Sequence, residues 1–93
     1  MIFTALADRN RRDLLDRLRL CNGQTLTGLC EGLTITRQAV TKHLRLLEEA
    51  GLVQTEKVGR ERRHFLNPVP LHAEAARWLA RFDETSIVAL GRG

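Results

Sequence analysis

The sequence lacks any apolar run close to the roughly 20 residues that a membrane-spanning helix requires. It also lacks the basic and apolar regions of a secretory signal peptide, so we expect a cytoplasmic protein. Only two cysteines occur, Cys21 and Cys30, and in a reducing compartment free thiols are more common than a disulfide. Repeats and low-complexity tracts are also missing.

Patterns typical of catalytic sites are absent too. There is no glycine-rich phosphate loop, no pair of carboxylates in a predicted cleft, and no Ser–His or Cys–His pair with a scaffold around it. A chain of 93 residues is expected to form one domain, residues 1–93, and is too short to enclose much of a pocket. We therefore expect neither an enzyme nor a cofactor.

The charge balance favours a polyanionic partner without requiring one. The chain has 15 Lys and Arg against 11 Asp and Glu, a net charge of +4, and basic patches attract nucleic acids. A chain of this size buries a modest core, so association between copies would add stability.

The segment from Thr34 to Leu52 predicts an amphipathic helix. Thr36 is a suitable N-cap, and Gly51 can adopt the left-handed conformation that ends a helix. One side of the helix is apolar apart from one histidine: Ala39, Val40, His43, Leu44, Leu46, Leu47 and Ala50. The other side carries Arg37, Gln38, Thr41, Lys42 and Arg45, followed by Glu48 and Glu49.

The order of charges on this polar side favours a binding surface over a merely solvated one. The cations come first and the glutamates last, which is the reverse of what the helix dipole favours. Arg, Gln, Thr and Lys are also the side chains that reach base edges and phosphates in a major groove. We expect Arg37, Gln38 and Thr41 to read base edges, and Lys42 and Arg45 to contact phosphates. Thr36 is included at the start of this surface.

The preceding segments predict three further helices. The chain up to Ala7 is apolar and starts helical, and Asp8 can cap a second helix that turns Leu14, Leu15 and Leu18 inward. Its arginines are expected to be mostly solvated, with Arg11 and Arg12 as secondary candidates for phosphate contact. A third helix spans Thr25 to Glu31, with a buried stripe of Leu26, Leu29, Cys30 and Leu33. With the turn at 32–35, residues of about 25–50 predict a helix-turn-helix.

Residues of about 52–67 predict a β-hairpin beside this unit. Gly59-Arg60 between the two strands suits a type II′ turn with glycine first. Arg60 and Arg62 near the tip are the expected DNA contacts of such a wing. Protection of an edge strand by charge is the structural alternative.

A last helix over about 70–85 follows Pro70, which fits a first turn. Its apolar stripe, together with two residues near the start of the chain, predicts a dimer surface. Burial of Trp78 within its own subunit is the alternative. The expected interface comprises Phe3, Leu6, Leu71, Ala75, Trp78 and Phe82.

This order of elements and one run of residues resemble the ArsR/SmtB family of bacterial winged-helix repressors. The run comprises Gln38, Val40, His43, Leu44 and Leu47, followed by Ala50-Gly51-Leu52-Val53; Phe3 to Asp8, Arg11-Arg12 and Gly59-Arg60 add to it. The resemblance implies a mainly α winged helix-turn-helix with a small β-hairpin (α-α-α-α-β-β-α). It further implies a homodimeric transcriptional regulator on a near-palindromic operator. Arg9-Asn10 departs from the Pro-Thr that relatives commonly carry.

The resemblance also raises the question of a metal effector. Relatives that sense soft metals carry thiolates in the third helix, where this chain has Thr25 and Thr27, and Cys30 alone makes a poor site. Zinc and nickel sensors use acidic and histidine ligands in the last helix; here only His72, Glu74, Asp83 and Glu84 are available. His43 is expected in the core and His64 in the wing. We therefore expect no metal site.

Two alternatives remain open. A metal- or thiol-responsive sensor is one, although both cysteines lie among leucines, and burial raises a thiol pKa. The other is a winged helix that binds a protein through the polar side of its fourth helix.

Overall fold

The computed structural model of the protein describes residues 1–83, which form five helices and one two-stranded antiparallel sheet. Their order, α-α-α-α-β-β-α, confirms the predicted fold class. Residues 84 and 85 of the predicted last helix, Glu84 among the residues weighed as metal ligands, and the tail lie outside the described residues. The elements are α1 (Ile2–Leu6), α2 (Arg9–Leu20), α3 (Leu26–Cys30), α4 (Arg37–Glu49), β1 (Val53–Val58), β2 (Glu61–Leu66) and α5 (Val69–Ala80).

Side-chain caps define the starts of the three central helices. The Asp8 carboxylate accepts hydrogen bonds from the backbone N–H groups of Asn10 (2.8 Å) and Arg11 (3.2 Å). The Thr25 hydroxyl accepts from Gly28, and the Thr36 hydroxyl accepts from the Ala39 N–H at 3.1 Å. These oxygens satisfy N–H groups that the first turn leaves unpaired. The predicted caps at Asp8 and Thr36 are confirmed.

The core lies where α2, α3 and α4 meet the base of the hairpin. The three inward leucines predicted in α2 are buried, as expected from their spacing. Of the stripe predicted in α3, only Leu29 is fully buried, while Leu26, Cys30 and Leu33 are half-buried against the core. The fully buried large side chains are Leu14, Leu18, Leu29, Val40, Leu47, Leu52 and Val53.

Two sequence predictions about burial are wrong. Leu46, expected on the apolar side of α4, is 44% exposed, because it borders an open cleft beside Met1 and Thr4 at the start of the chain. Cys21 was expected among leucines, but it is exposed, because α2 ends at Leu20 and Cys21 lies just beyond the last turn. Its backbone carbonyl accepts a hydrogen bond from the Gln24 amide.

The hairpin matches the predicted wing closely. Val53 pairs with Leu66 and Val58 pairs with Glu61, so Gly59 and Arg60 form a two-residue turn. Gly59 has φ +64° and no non-glycine residue within 1–83 has a positive φ, which agrees with a type II′ turn. The base of the hairpin is joined to the loop before α3, because His64 and Gln24 form an isolated bridge.

Helix α5 stands apart from this core. None of its twelve residues is buried, and α5 lies mainly against α1. Pro70 lies in its first turn, as predicted. Trp78 is 50% exposed and its ring packs edge-on against Phe82, with centroids 4.9 Å apart. Burial of Trp78 in its own subunit is therefore wrong. Within residues 1–83 no helix is long and apolar enough to cross a membrane.

Candidate nucleic-acid interface

The polar side of α4 is exposed along its whole length. All residues predicted to contact DNA are exposed: Thr36, Arg37, Gln38, Thr41, Lys42 and Arg45 on α4, and Arg60 and Arg62 on the wing. The opposite side of α4 is anchored in the core through Val40, Leu44 and Leu47. The helix is thus fixed from behind and presents a side of hydrogen-bond donors.

Two hydrogen bonds order the first turn of this surface. The guanidinium of Arg37 donates to the Thr27 hydroxyl of α3 at 3.3 Å. The Thr41 hydroxyl donates to the backbone carbonyl of Arg37 at 3.0 Å, and the Thr41 residue is exposed. The sequence predicts that Arg37 reads base edges together with Gln38 and Thr41. In the structure, however, the Arg37 side chain is hydrogen-bonded to α3.

The wing adds a second positively charged surface beside α4. Residues opposite each other in an antiparallel pair share a face, so Lys57 and Arg62 lie on the face that carries buried Val53 and His64 nearer the base. Arg62 donates to the Thr55 hydroxyl at 3.1 Å. Arg63 points to the other face, where it donates to the Gly23 carbonyl and to Glu61. Arg62 and Arg63 are therefore on different faces of the wing.

A cleft of about 310 Å³ separates α4 from the wing. We call it the helix–wing cleft; Leu26 and Leu44 form its floor, and its polar lining is Thr41, Arg45, Glu48, Thr55, Arg62 and His64. Inside it, the ring nitrogen Nδ1 of His64 lies 3.0 Å from the carbonyl of Gln24. His64 is 6% exposed, so it serves as part of the wing base.

A wider cleft of about 570 Å³ lies beside it, between the starts of α3 and α4 and the wing tip. We call it the arginine cleft; it is lined by Thr25, Leu26, Thr27, Arg37, Arg60, Glu61 and Arg62. Sequence reasoning weighed Thr25 and Thr27 only as positions without metal ligands. Their place in this cleft was missed, because it depends on how α3 packs beside the wing.

Within residues 1–83, no carboxylate forms an ion pair with the cations of this surface. The ion pairs within residues 1–83 are Arg19–Asp16, Arg63–Glu61 and Arg77–Glu74. None of them involves the cations predicted to contact DNA. Glu61 lies in the arginine cleft, but its carboxylate is 2.9 Å from Arg63. The surface therefore carries excess positive charge, which favours a polyanionic ligand.

Three arginines of α2 prove to be structural. Arg11 donates to the carbonyls of Ala5 (2.8 Å) and Thr4 (3.1 Å) and lies 3.2 Å from Nδ1 of His43. Arg12 donates to the Leu6 carbonyl at 2.7 Å, and Arg17 donates to the Glu31 carbonyl at the end of α3 at 2.7 Å. Arg11 and Arg12, the secondary candidates for phosphate contact, thus hold the end of α1.

The contacts at the start of α2 also shift the pKa of one carboxyl group, that of Asp8. Partial desolvation acts to raise the pKa of Asp8. Hydrogen bonds from the N–H groups of Arg11 and Asn10, together with electrostatic interactions with His43 and Arg11, lower it by more. The net pKa of Asp8 lies below its usual value. His43, expected in the core, is only half-buried, although it is within hydrogen-bond distance of Arg11.

Residues 1–83 contain no group of three or more His, Cys, Asp or Glu side chains placed to hold a metal ion. Thr25 and Thr27 occupy the positions at which the resemblance implies thiolates in metal-sensing relatives. Cys30 is half-buried, and both cysteines are free thiols.

Comparisons with known proteins agree with this geometry. A family model described as a helix-turn-helix domain matches residues 6–56. The uncharacterized helix-turn-helix-type transcriptional regulator YuzN of Bacillus subtilis (strain 168) is 42% identical over 84 residues, covering 84% of this chain and 91% of the relative. The protein is thus a transcriptional regulator with a helix-turn-helix DNA-binding domain.

Solved structures narrow the class to one family. An ArsR-like transcriptional regulator from Rhodococcus sp. RHA1 superposes with a TM-score of 0.81 at 36% identity, covering 98% of this chain and 82% of that chain. Another structure, an ArsR family transcriptional regulator, gives 0.76 at 36% identity, covering 89% and 84%. The chain belongs to the ArsR family of helix-turn-helix transcriptional regulators, which confirms the resemblance.

Proposed function

We propose that the protein is a homodimeric repressor that binds a near-palindromic operator in double-stranded DNA and needs no metal effector. The observation that carries this proposal is the continuous exposed surface of α4 and the wing. Its cations, Arg37, Lys42, Arg45, Arg60 and Arg62, form no ion pair within the described residues. Phosphate contacts of this kind supply much of the affinity for DNA. A DNA-binding regulator of this kind would act in the cytoplasm.

Base recognition is assigned to the N-terminal part of α4. Gln38 is exposed, and its side chain makes no hydrogen bond within residues 1–83, so the carbonyl oxygen and the NH2 group of its amide are both available to an adenine edge. Thr41 is also exposed, and its methyl group can meet a thymine methyl group. Lys42 and Arg45, about one and two turns beyond Gln38, would fix the helix to the phosphate backbone.

Homodimerisation is supported by the apolar side of α5. Phe3, Trp78, Leu79 and Phe82 are each about half exposed, and a contiguous apolar patch of this kind usually marks an interface. Leu6 and Leu71, also expected at the interface, pack partly against the protomer's own core. Ala75 is exposed beside them. Two copies of one recognition helix fit two half-sites of a near-palindrome.

The test is selection of bound duplexes from a random pool, followed by fluorescence-anisotropy titration of the enriched duplex and a scrambled duplex at two salt concentrations. We expect two inverted half-sites about 10 base pairs apart and affinity that falls steeply with salt. Added Zn²⁺ or a chelator should leave the affinity unchanged. Transcription in vitro from a promoter overlapping the operator should decrease.

Failure to enrich any sequence, with no binding to either duplex, would refute this function and favour the protein-interaction alternative. Release from the operator by a metal ion or an oxidant would instead establish a sensor.

A further inference from the structure

The arginine cleft has a composition that differs from the rest of the DNA-facing surface. Three arginines, Arg37, Arg60 and Arg62, line one concave region together with Thr25 and Thr27, which carry hydroxyl groups. Guanidinium groups arranged around a cleft are suited to phosphate oxygens, which they bind in a bidentate manner. The region is set apart from Gln38 and Lys42, which do not line it.

Neutral hydroxyl groups hold two of these arginines in place. Thr27 of α3 accepts from Arg37, and Thr55 of β1 accepts from Arg62. A hydroxyl acceptor orients a guanidinium group without cancelling its charge, whereas a carboxylate would neutralise it. Glu61 also lines the cleft, but its carboxylate accepts a hydrogen bond from Arg63 on the other face of the wing. The remaining N–H groups of Arg37 and Arg62 stay available to a ligand.

Resting on the proposed function, we infer that the arginine cleft binds a phosphodiester group of the DNA backbone, and that Thr27 is the positioning residue that turns Arg37 toward that phosphate. Arg37 therefore supports affinity for every duplex, while sequence preference depends on Gln38 and Thr41. The hydroxyl of Thr27 restricts the rotamers of Arg37 before DNA binds. Less side-chain entropy is therefore lost when Arg37 contacts the phosphate.

The test uses the full chain and the enriched and scrambled duplexes, with the dissociation constant measured across a salt series. Arg37→Ala should weaken binding to both duplexes by the same factor and reduce the slope of log affinity against log salt by about 0.9, the value for one phosphate contact. Arg62→Ala should behave in the same way. Gln38→Ala is the matched control, because it should reduce the preference between duplexes and leave the slope unchanged.

Variants of Thr27 test the positioning role. Thr27→Val keeps the volume and removes the hydroxyl from an exposed position, so we expect affinity for both duplexes to fall about 2- to 10-fold with the salt slope unchanged. Thr27→Ser should restore the wild-type constants. In the Arg37→Ala background, Thr27→Val should have no further effect. Circular dichroism would verify that each variant is folded.

The inference is overturned if Arg37→Ala lowers the ratio between the two duplexes, which would make Arg37 a base reader, as the sequence suggested. It is also overturned if Thr27→Val leaves both constants unchanged. Equal binding of the wild-type protein to both duplexes would refute the sequence-specific function alone, and a reduced slope for Arg37→Ala would then still support the cleft. No binding to either duplex would refute both.

Discussion

Individual side chains on the surface of α4 differ in how firmly the protein holds them. Arg37 and Thr41 are both hydrogen-bonded within the protein, whereas Gln38 between them has no such bond in the described part of the chain. A side chain without an internal partner can give all its donors and acceptors to a base. Substitution of Gln38 should therefore affect sequence recognition more directly than substitution of Arg37 or Thr41.

We expect Gln38→Ala to lose about 1–3 kcal/mol of binding free energy at one base position and to relax preference there. The measurement is a set of anisotropy titrations against duplexes in which each operator position is changed in turn. Uniform weakening against all of these duplexes would remove Gln38 from the base contacts.

Asp8 is a second residue whose effect can be predicted, this time on folding. Asp8→Ala removes the cap of α2 and should lower the free energy of unfolding by about 1 kcal/mol at pH 7. Because the pKa of Asp8 is lower in the folded protein than in the unfolded chain, the carboxylate stabilises the fold above the unfolded pKa. That contribution is lost as the pH falls below about 4.

Urea unfolding of the wild-type protein and Asp8→Ala at pH 7 and pH 3 would check both effects. The difference between the two proteins should shrink at pH 3. Asp16→Ala is the control, since its exposed pair with Arg19 should contribute little. An equal difference at both pH values would show that the cap does not depend on the charge of Asp8.

At the scale of elements, each helix and strand next to the DNA-facing surface is fixed by a neighbour. Arg17 of α2 holds the end of α3, and the Leu66 N–H at the end of β2 donates to the Asn22 side chain at 2.8 Å. The short helix α3, five residues long, would be unstable alone. Its packing against α4 and β2 determines where Thr27, and hence Arg37, lies.

The wing turn gives a prediction at this scale. Gly59 has φ +64° and a Cβ added there would meet no atom within 4 Å, so Gly59→Ala should be opposed only by backbone strain. We expect a loss of about 1 kcal/mol of stability, and faster amide exchange in β1 and β2. Arg60→Ala is the control, because Arg60 has a negative φ. Unchanged stability in Gly59→Ala would contradict the type II′ turn.

At the scale of the whole molecule, α5 is the element that the protomer does not bury. A helix of twelve residues with no buried side chain is close to the limit at which an isolated helix is stable in water. A second copy that covers Trp78, Leu79 and Phe82 would supply the missing apolar contacts. Dimerisation would also place two α4 helices on one duplex, which links the fold of α5 to DNA binding.

We expect Trp78→Glu to yield monomers in sedimentation velocity, because a carboxylate buried in an apolar interface without a partner is strongly unfavourable. The fold should persist, since Trp78 is half exposed in the protomer. Ala73→Glu, on the other side of α5, is the matched control and should remain dimeric. A stable Trp78→Glu dimer would refute the proposed interface.

The local sequence pattern determined many features of the secondary structure and of side-chain burial. The caps at Asp8 and Thr36, the leucines of α2 and the glycine-first turn of the wing were predictable, because each depends on neighbouring residues and on helix or strand periodicity. The exposure of the α4 cations followed from the same periodicity. The ArsR family assignment rested on a run of residues in α4 and just beyond it.

Only the tertiary structure decided which exposed or charged side chains act together. Arg11, Arg12 and Arg17 look like solvated cations in the sequence, but each reaches backbone carbonyls of another helix or the loop that follows it. Arg37 turns to Thr27, ten residues away, and meets the wing arginines in one cleft. Long side chains choose partners by distance in space, and that distance is set by how the helices pack, which periodicity along the chain does not encode.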